Sequence, residues 1–157
     1  MFDVIVCPLD LRERSFQVLP KVGDLARKYG SKLIFLNVNH RFMSEDEMVM
    51  LRVSESNYSQ MMKDMAVNAR NTIEAALKEK GVDDIDHEIV LREGTPGHDI
   101  PRIAESLGAD LIVLSSTGRD HISEMFLGTT AEAVLHRSKV SVLTIYVDGD
   151  EKPGKKG

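Results

Sequence analysis

Two glycines and two threonines in the last third of the chain lie in a loop and a helix start, an arrangement that turns backbone N–H groups toward a phosphate. Gly118 and Gly128 are separated by nine residues, and Thr129 and Thr130 directly follow the second glycine. Glycine lets backbone N–H groups approach a ligand closely, and the start of a helix offers N–H donors that have no intrahelical partner. Glu132 stands in T-x-x-E order with Thr129, which predicts a capping box there. This segment predicts a phosphate site at a helix start.

Other reactive residue types lack the spacing that catalysis or metal binding requires. Ser115 and Ser116 stand near Asp120 and His121, but there is no G-x-S-x-G elbow, and closeness in sequence does not supply the geometry of a triad. The lysine-bearing Walker loop is absent, and the five histidines show no H-E-x-x-H spacing. The sequence therefore predicts no catalytic residue and no protein-ligated metal. Any Mg²⁺ would be held by the phosphates of a ligand.

Length, charge and hydropathy restrict the class of protein. The 157 residues fit one domain, predicted over residues 1–147, and residues 148–157 contain no apolar side chain and predict a solvated tail. The net charge of −5 argues against nucleic acid binding. No apolar run reaches the roughly 20 residues of a membrane helix, and no signal peptide is apparent. We expect a soluble cytoplasmic protein in which Cys7, the only cysteine, is part of the core.

Short apolar runs alternate with stretches of helical periodicity along the chain. Glycines follow three of the helical stretches, where a residue able to adopt positive φ is favoured, at positions 30, 81 and 108. This alternation predicts a parallel sheet with helices on both faces. The five predicted strands are Val4 to Pro8, Leu33 to Val38, Ile89 to Leu91, Leu111 to Leu114, and Val140 to Tyr146.

The apolar content of each strand predicts its place in the sheet. The first and fourth strands are apolar throughout, as central parallel strands must be, whereas the third has charged flanks, as suits an edge. We therefore predict a single doubly wound, Rossmann-like α/β fold with strand order 3-2-1-4-5. The first and fourth strands then meet at the switch point, so that Pro8 to Asp10 and Ser115 to Gly118 should border one crevice.

The connection from Asn39 to Asn57 is long and contains Met43, Met48 and Met50 among acidic residues, without a clear strand or helix pattern before Met48. Connections of this length are often functional, so that this one could form a lid or a partner surface. The alternative is that its methionines extend the following helix and fill gaps against the sheet.

The whole pattern resembles the universal stress protein family. The resemblance runs from Phe2 to about Val147 and rests on CPLD, LNV, REGTP, AESLGADLIVLSSTGR and LGTTAEAVLHRSKVSVLTI, in that order. The nucleotide-binding branch of the family carries G-x-x-G, nine residues, then G followed by Ser or Thr. Gly118, Gly128 and Thr129 match the last three elements, and Ser115 replaces the first glycine. A short polar side chain at that position is either tolerated or crowds the phosphates.

The resemblance implies a site for ATP or AMP. Asp10 would hold the adenosine part, Val38 would help frame the adenine, and the phosphates would lie along the glycines and threonines, with Arg119 adding a charge-assisted contact. Each residue also has a structural role to consider, because Asp10 could cap the first helix and Gly118 could be an ordinary turn residue. The full set of expected nucleotide-binding residues is Pro8, Leu9, Asp10, Val38, Leu114, Ser115, Gly118, Arg119, Gly128, Thr129 and Thr130.

Three functions follow from these expectations. The first is a homodimeric stress sensor or signalling module that binds an adenine nucleotide, dimerises through Val140 to Tyr146, acts on an unidentified partner, and hydrolyses ATP slowly at most. The second is a nucleotide-free member of the same fold that contacts other proteins through Met43 to Met65, which Ser115 favours. The third, an adenylating enzyme, lacks S-G-G-x-D-S and H-x-G-H signatures for pyrophosphate release.

Overall fold

The computed structural model describes residues 1–40, 43–116 and 128–147, in which strands and helices alternate along the chain. The strands are β1 (Val4–Pro8), β2 (Lys32–Asn39), β3 (His87–Glu93), β4 (Leu111–Ser116) and β5 (Ser141–Tyr146). The helices are α1 (Glu13–Phe16), α2 (Leu19–Tyr29), α3 (Glu45–Met50), α4 (Glu55–Glu79), α5 (Pro96–Ser106) and α6 (Thr129–Arg137).

The strands form one parallel sheet in the order β3-β2-β1-β4-β5, which confirms the predicted topology. Ile5 of β1 is paired with Leu33 of β2 on one side and with Leu111 of β4 on the other. The connection from β1 leads to β2, while β4 lies on the opposite side of β1. The sheet therefore has its switch point between β1 and β4, where a crevice opens at the carboxyl ends of the strands.

Alternate residues of each strand point to opposite sides of the sheet, so the apolar strands present side chains on both faces. Helices cover both of these faces. The larger buried cluster joins Cys7 and Phe35 to α1, α2 and α4, and the smaller joins Ile34 and Ile112 to α5 and α6. Cys7 has no solvent exposure, and burial raises its pKa to about 12. The thiol is therefore not ionised at neutral pH, as expected for a core cysteine.

The connection after β2 contains a helix, so the expectation that it lacks a helical pattern before Met48 was wrong. Ser44 caps α3: its side chain accepts from the N–H of Glu47, and the Glu47 carboxylate accepts from the N–H of Ser44. This S-x-x-E capping box was the sequence signal for the helix. Met48 is buried, which agrees with the gap-filling role for that methionine, whereas Met50 is 82% exposed.

The start of α6 also differs from the prediction. Gly128 is the N-cap residue, with φ of 97°, and Thr129 is the first residue of the helix. Thr129 and Glu132 therefore do not form the predicted capping box, and the N-cap residue itself has no side chain that could cap the helix. Glycine suits this position because positive φ is costly for residues that have a Cβ atom.

The carboxyl end of β4 extends two residues beyond the predicted strand. Ser115 and Ser116 belong to the strand and pair with Ile145 and Tyr146 of β5, and Ser116 is buried. The pair of serines is thus part of the sheet rather than of the loop beyond it. Gly118, Arg119 and the predicted tail of residues 148–157 lie outside the described residues.

Gly97 sets the distance between α5 and α6. A Cβ atom built on Gly97 would lie 2.7 Å from the Cβ of Ala133 in α6, which is closer than two such atoms can approach. We expect Gly97→Ala to lower the free energy of unfolding by about 1–3 kcal/mol, because α6 must shift. Urea unfolding of Gly97→Ala, Ala133→Gly and the double variant measures this contact.

The double variant separates steric overlap from helix propensity. Ala133→Gly alone costs about 1 kcal/mol in helix propensity. If the overlap is real, the double variant loses less stability than the two single variants added together. Additive losses would contradict the proposed contact.

Candidate functional site

A cavity of about 170 Å³ opens at the switch point, between the carboxyl ends of β1 and β4. We call it the switch-point cavity. Strand ends and the β1–α1 loop form part of its wall, and the first turns of α5 and α6 form another part. Its lining residues are Pro8, Leu9, Asp10, Ser15, Leu36, Val38, Pro96, Ile100, Leu114, Ser115, Thr130 and Ala131.

The loop that carries Asp10 is held in an uncommon conformation. Oδ1 of Asp10 accepts a hydrogen bond from the N–H of Arg12 at 3.0 Å, and Nδ2 of Asn37 donates to the carbonyl of Leu9 at 2.7 Å. Between them Leu11 has φ of 66°, a left-handed conformation that is uncommon outside glycine. Backbone held in this way is frequent at ligand sites. Because α1 begins after Arg12, Asp10 does not cap the helix directly.

One carboxylate oxygen of Asp10 remains available to a ligand. The residue is exposed at the mouth of the cavity, and its Oδ2 has no hydrogen-bond partner among the described residues. A carboxylate accepts hydrogen bonds from hydroxyl or amine groups but repels anions. Asp10 therefore favours the neutral, donor-bearing part of a ligand.

The opposite wall favours negative charge. Thr130 and Ala131, which line the cavity, belong to the first turn of α6. The N–H of Glu132 donates to the carbonyl of Gly128 as the first bond of the helix, so the N–H groups of the preceding turn have no partner within it. Gly128, the N-cap residue, has no side chain to cap α6, and the N–H donors and the positive end of the helix dipole at this turn attract an anion.

The apolar part of the cavity comes from β2, β4 and α5. Leu36 and Val38 lie on the same side of β2, and Ile100 and Leu114 face them from α5 and β4. These side chains belong to the smaller core cluster, so the slot is continuous with the hydrophobic core. Such a surface suits a flat, largely apolar ring system.

The first turn of α5 is held by Asp99. Its Oδ2 accepts from the N–H of Thr95 at 2.8 Å, and its Oδ1 accepts from Nη2 of Arg102 at 2.7 Å and lies 3.2 Å from Nδ1 of His98. Gly94 precedes this turn, and a Cβ atom at Gly94 would lie only 2.3 Å from Oδ2 of Asp99. The Asp99 carboxylate therefore fixes the turn that brings Pro96 to the cavity.

Asp99 should make the protein sensitive to acid. The hydrogen bonds from Thr95, Arg102 and His98 lower its pKa from 3.8 to about 2. Because this pKa is lower in the folded state than in the unfolded chain, ionised Asp99 stabilises the fold above the unfolded-state pKa. That stabilisation is lost as the pH falls from about 4 to about 2. Between these two pH values, we expect the free energy of unfolding to change less in Asp99→Asn than in the unchanged protein. Urea unfolding at several pH values measures this.

The exposed Asn68 offers a control that removes no titratable group. Asn68→Ser should leave the slope of stability against pH as in the unchanged protein. An equal slope for Asp99→Asn and the unchanged protein would contradict the assignment.

The structure brings most of the predicted nucleotide-binding residues to this one cavity. Gly128 and Thr129 adjoin it in sequence at the start of α6 but do not line it, and Gly118 and Arg119 lie outside the described residues. That these side chains bind a nucleotide stays a prediction. The predicted residues that line the cavity are Pro8, Leu9, Asp10, Val38, Leu114, Ser115 and Thr130.

Sequence reasoning missed the lining residues of α1 and α5 and one lining residue each of β2 and α6. Leu36 could have been found from Val38, because residues two apart in a strand share a face. Ala131 could have been found from the helix start at Thr129. The short helix α1, which carries Ser15, gave no periodic signal. The missed residues are Ser15, Leu36, Pro96, Ile100 and Ala131.

The described lining residues carry little titratable chemistry. Asp10 is the only titratable side chain among those that the structure describes. Across the part of the chain that the structure describes, no group of three or more His, Cys, Asp or Glu side chains could hold a metal ion. No helix within that part is long and apolar enough to cross a membrane.

The chain matches known proteins over nearly its full length. The model of the universal stress protein family matches residues 1–145. Universal stress protein MJ0577 from Methanocaldococcus jannaschii is 23% identical over 154 residues, which cover 92% of this chain and 95% of that protein. The solved structure of MJ0577 has a TM-score of 0.72 at 25% identity and covers 96% of this chain and 99% of that one.

Two further proteins are similar to this chain, one in the sequence of a part of it and one in its fold. Universal stress protein E from Photorhabdus laumondii is 43% identical over 65 residues, so the match covers 41% of this chain but only 21% of that longer protein. A universal stress protein solved in complex with cAMP has a TM-score of 0.61 at 21% identity and covers 92% of this chain and 97% of that one. The chain belongs to the universal stress protein family.

Proposed function

We propose that the protein binds an adenine nucleotide, ATP or AMP, in the switch-point cavity and acts as a cytoplasmic sensor or signalling module in the stress response. The observation that supports this most directly is the composition of one cavity. It combines a free carboxylate oxygen on Asp10, an apolar slot along Val38 and the uncapped start of α6 at Thr130. These are the complements of a ribose, an adenine ring and phosphates respectively.

The cavity gives the ligand a defined orientation in this proposal. The adenine ring occupies the slot between Val38 and Leu114, for which the volume of about 170 Å³ is sufficient, since a cavity of about 150 Å³ takes benzene. The ribose hydroxyls donate to Asp10. The phosphates extend toward Thr130, away from the carboxylate, and any Mg²⁺ is carried by them.

Ser115 is compatible with this orientation. It is the last residue but one of β4, is half-buried, and lines the cavity. A serine hydroxyl can donate a hydrogen bond to a phosphate or ribose oxygen. In this proposal the side chain that replaces the first motif glycine contributes a contact rather than only excluding the ligand. The similar protein solved with cAMP supports a nucleotide as the ligand class.

Calorimetric titration with ATP, AMP, cAMP and adenosine tests the proposal. We expect saturable binding of at least ATP or AMP. Adenosine alone should bind more weakly, because it lacks the phosphates that α6 attracts. Chromatography of the protein denatured as purified would show whether adenine nucleotide is carried along. No heat and no thermal shift with any of these ligands at millimolar concentration, with Mg²⁺ present, would overturn the proposal.

A second candidate function is protein binding without nucleotide. Val49, Met50 and Leu51, at the end of α3, are consecutive apolar residues with exposed fractions of 77%, 82% and 63%. Contiguous exposed apolar side chains often mark interaction surfaces. This candidate predicts that replacing all three with serine abolishes partner binding and leaves the fold intact. It gains support if the titrations show no nucleotide binding.

A further inference from the structure

A second cavity lies on the other side of β2 from the switch-point cavity and has a volume of about 220 Å³. Leu36 and Val38 line the first cavity, whereas Asn37 and Asn39 line the second. Since successive side chains of a strand point to opposite faces, the sheet separates the two cavities. We call the second one the α4 cavity, because four of its lining residues belong to that helix, Met62, Met65, Ala66 and Ala69.

The apolar stripe of α4 is uncovered where it passes this cavity. Tyr58 at one end of the stripe and Ile73 at the other are buried. Between them Met65 is 44% exposed and Ala66 is exposed, although their spacing places them on the same stripe. A helix normally buries such a stripe against its neighbours. The stripe therefore continues over a space that no side chain of the described residues fills.

The size of the space suits a small ring system. The residues facing it from α4 include Ala66 and Ala69, whose short side chains leave room between the helix and Leu91 of β3. A dry cavity of about 150 Å³ accepts benzene, so that about 220 Å³ accommodates a slightly larger ring system.

One end of the α4 cavity presents hydrogen-bond acceptors. Nδ2 of Asn37 donates to the carbonyl of Leu9, and its Oδ1 accepts from Nδ2 of Asn39. This leaves Oδ1 of Asn39 and the carboxylate of Glu93, neither of which has a hydrogen-bond partner among the described residues. Asn39 and Glu93 are register partners in β2 and β3, so their side chains lie side by side. Both residues are exposed to solvent, and an N–H or O–H donor of a ligand can replace the water on these acceptors.

The charges around the cavity favour a neutral ligand. Arg92 also lines the cavity, and its Nη1 donates to the carbonyl of Leu91 at 3.0 Å. Among the described lining residues, Arg92 and Glu93 bring one charge of each sign and His40 is the remaining titratable side chain, so neither an anion nor a cation is preferred. We propose that the α4 cavity is a second binding site, for a small neutral aromatic molecule whose ring carries an N–H or O–H donor.

Indole and benzothiophene are suitable probes, because they have nearly the same shape and only indole has an N–H donor. The protein is labelled at its methionine methyl groups and titrated with each probe, and the shifts are followed by NMR. We expect indole to move the Met62 and Met65 signals saturably and to leave the exposed Met1 and Met50 unchanged. Benzothiophene should bind about tenfold more weakly, because it cannot donate the hydrogen bond that the indole N–H makes to these acceptors.

Two phenylalanine variants on α4 locate the site. Ala66→Phe fills the cavity and should abolish saturable shifts, whereas Val67→Phe, at an exposed position that does not line the cavity, should bind indole as the unchanged protein does. Met65→Trp fills the same space from an exposed position and should give the same loss as Ala66→Phe. None of these measurements requires nucleotide, so the result is independent of the proposed function.

Three outcomes would overturn the inference. The first is the absence of a saturable shift up to the solubility of indole. The second is an equal shift of Met50 and Met65, which would indicate non-specific contact with exposed methionines. The third is unchanged indole binding in both Ala66→Phe and Met65→Trp.

Discussion

Replacing Asp10 with alanine is expected to weaken the binding of ATP and adenosine alike, by about tenfold to a hundredfold. The reason is that Asp10 faces the part of the ligand that both molecules share. A hydrogen bond to a charged group contributes about 1.5–3 kcal/mol, which corresponds to that range of affinity. Calorimetric titration of both ligands measures the effect. Equal affinities for Asp10→Ala and the unchanged protein would remove Asp10 from the site.

Two further variants separate the contact with the ligand from the shape of the loop. Asp10→Asn keeps a side-chain oxygen that can accept from the N–H of Arg12 at 3.0 Å, and so preserves the loop in which Leu11 has positive φ. Because its side-chain oxygen still accepts a hydrogen bond, Asp10→Asn should lose less affinity than Asp10→Ala. Because it lacks the negative charge, it should still bind more weakly than the unchanged protein. Asp83→Ala removes an exposed carboxylate elsewhere and should have no effect.

The sequence was sufficient to predict the sheet because its strands differ in composition. The VIVCP strand is buried between two neighbours, while His87 and Glu93 bound an edge strand with a short apolar centre. Those differences follow directly from the number of neighbours that each strand has. Strand order alone places Asp10 and Ser115 at one crevice, and the switch-point cavity has both in its wall.

The remaining site residues depend on packing that periodicity does not describe. Pro96 and Ile100 reach the cavity because α5 runs from the edge strand β3 to β4 and packs on the same face as α6, where Gly97 permits close approach to Ala133. A crossover of this kind is implied by the strand order, but the close approach of α5 to α6, which needs a residue without a Cβ atom at position 97, is not. The side chain of Ser15 depends on α1, which is too short to give a pattern.

Methionines in the α3–α4 region illustrate a different limit. Helical spacing places the buried Ile73 and the exposed Met65 on the same apolar stripe of α4. Periodicity identifies the face of a helix that is apolar, but it does not reveal how far the helix remains in contact with the sheet. Only the structure separates the covered half of the stripe from the half that borders the α4 cavity.

Thr144→Pro is expected to convert a dimer into a monomer while leaving the fold intact. We propose that the protein forms a symmetric dimer by pairing β5 with its copy. This strand is at the edge of the sheet, and Leu143 and Tyr146 are exposed there. An open edge of this kind exposes a row of N–H and C=O groups, and pairing across a two-fold axis satisfies them.

The direction of each N–H group in β5 explains why Thr144 is the position to change. The N–H of Val147 donates to the carbonyl of Ser116 in β4 at 2.9 Å. Because N–H groups alternate in direction along a strand, those of Leu143 and Ile145 also face β4, and that of Thr144 faces the open edge. Proline at Thr144 therefore removes a donor from the dimer contact without removing a bond to β4, as tolerated on edge strands.

Sedimentation velocity at micromolar concentration decides the question when three variants are compared. Thr144→Val keeps the N–H and should remain dimeric, whereas Thr144→Pro should sediment as a monomer with nearly unchanged circular dichroism. Ile145→Pro should lose stability instead, because it removes a bond within the sheet of each protomer. A monomeric unchanged protein, or a Thr144→Pro variant that stays dimeric, would show that β5 is not the dimer contact.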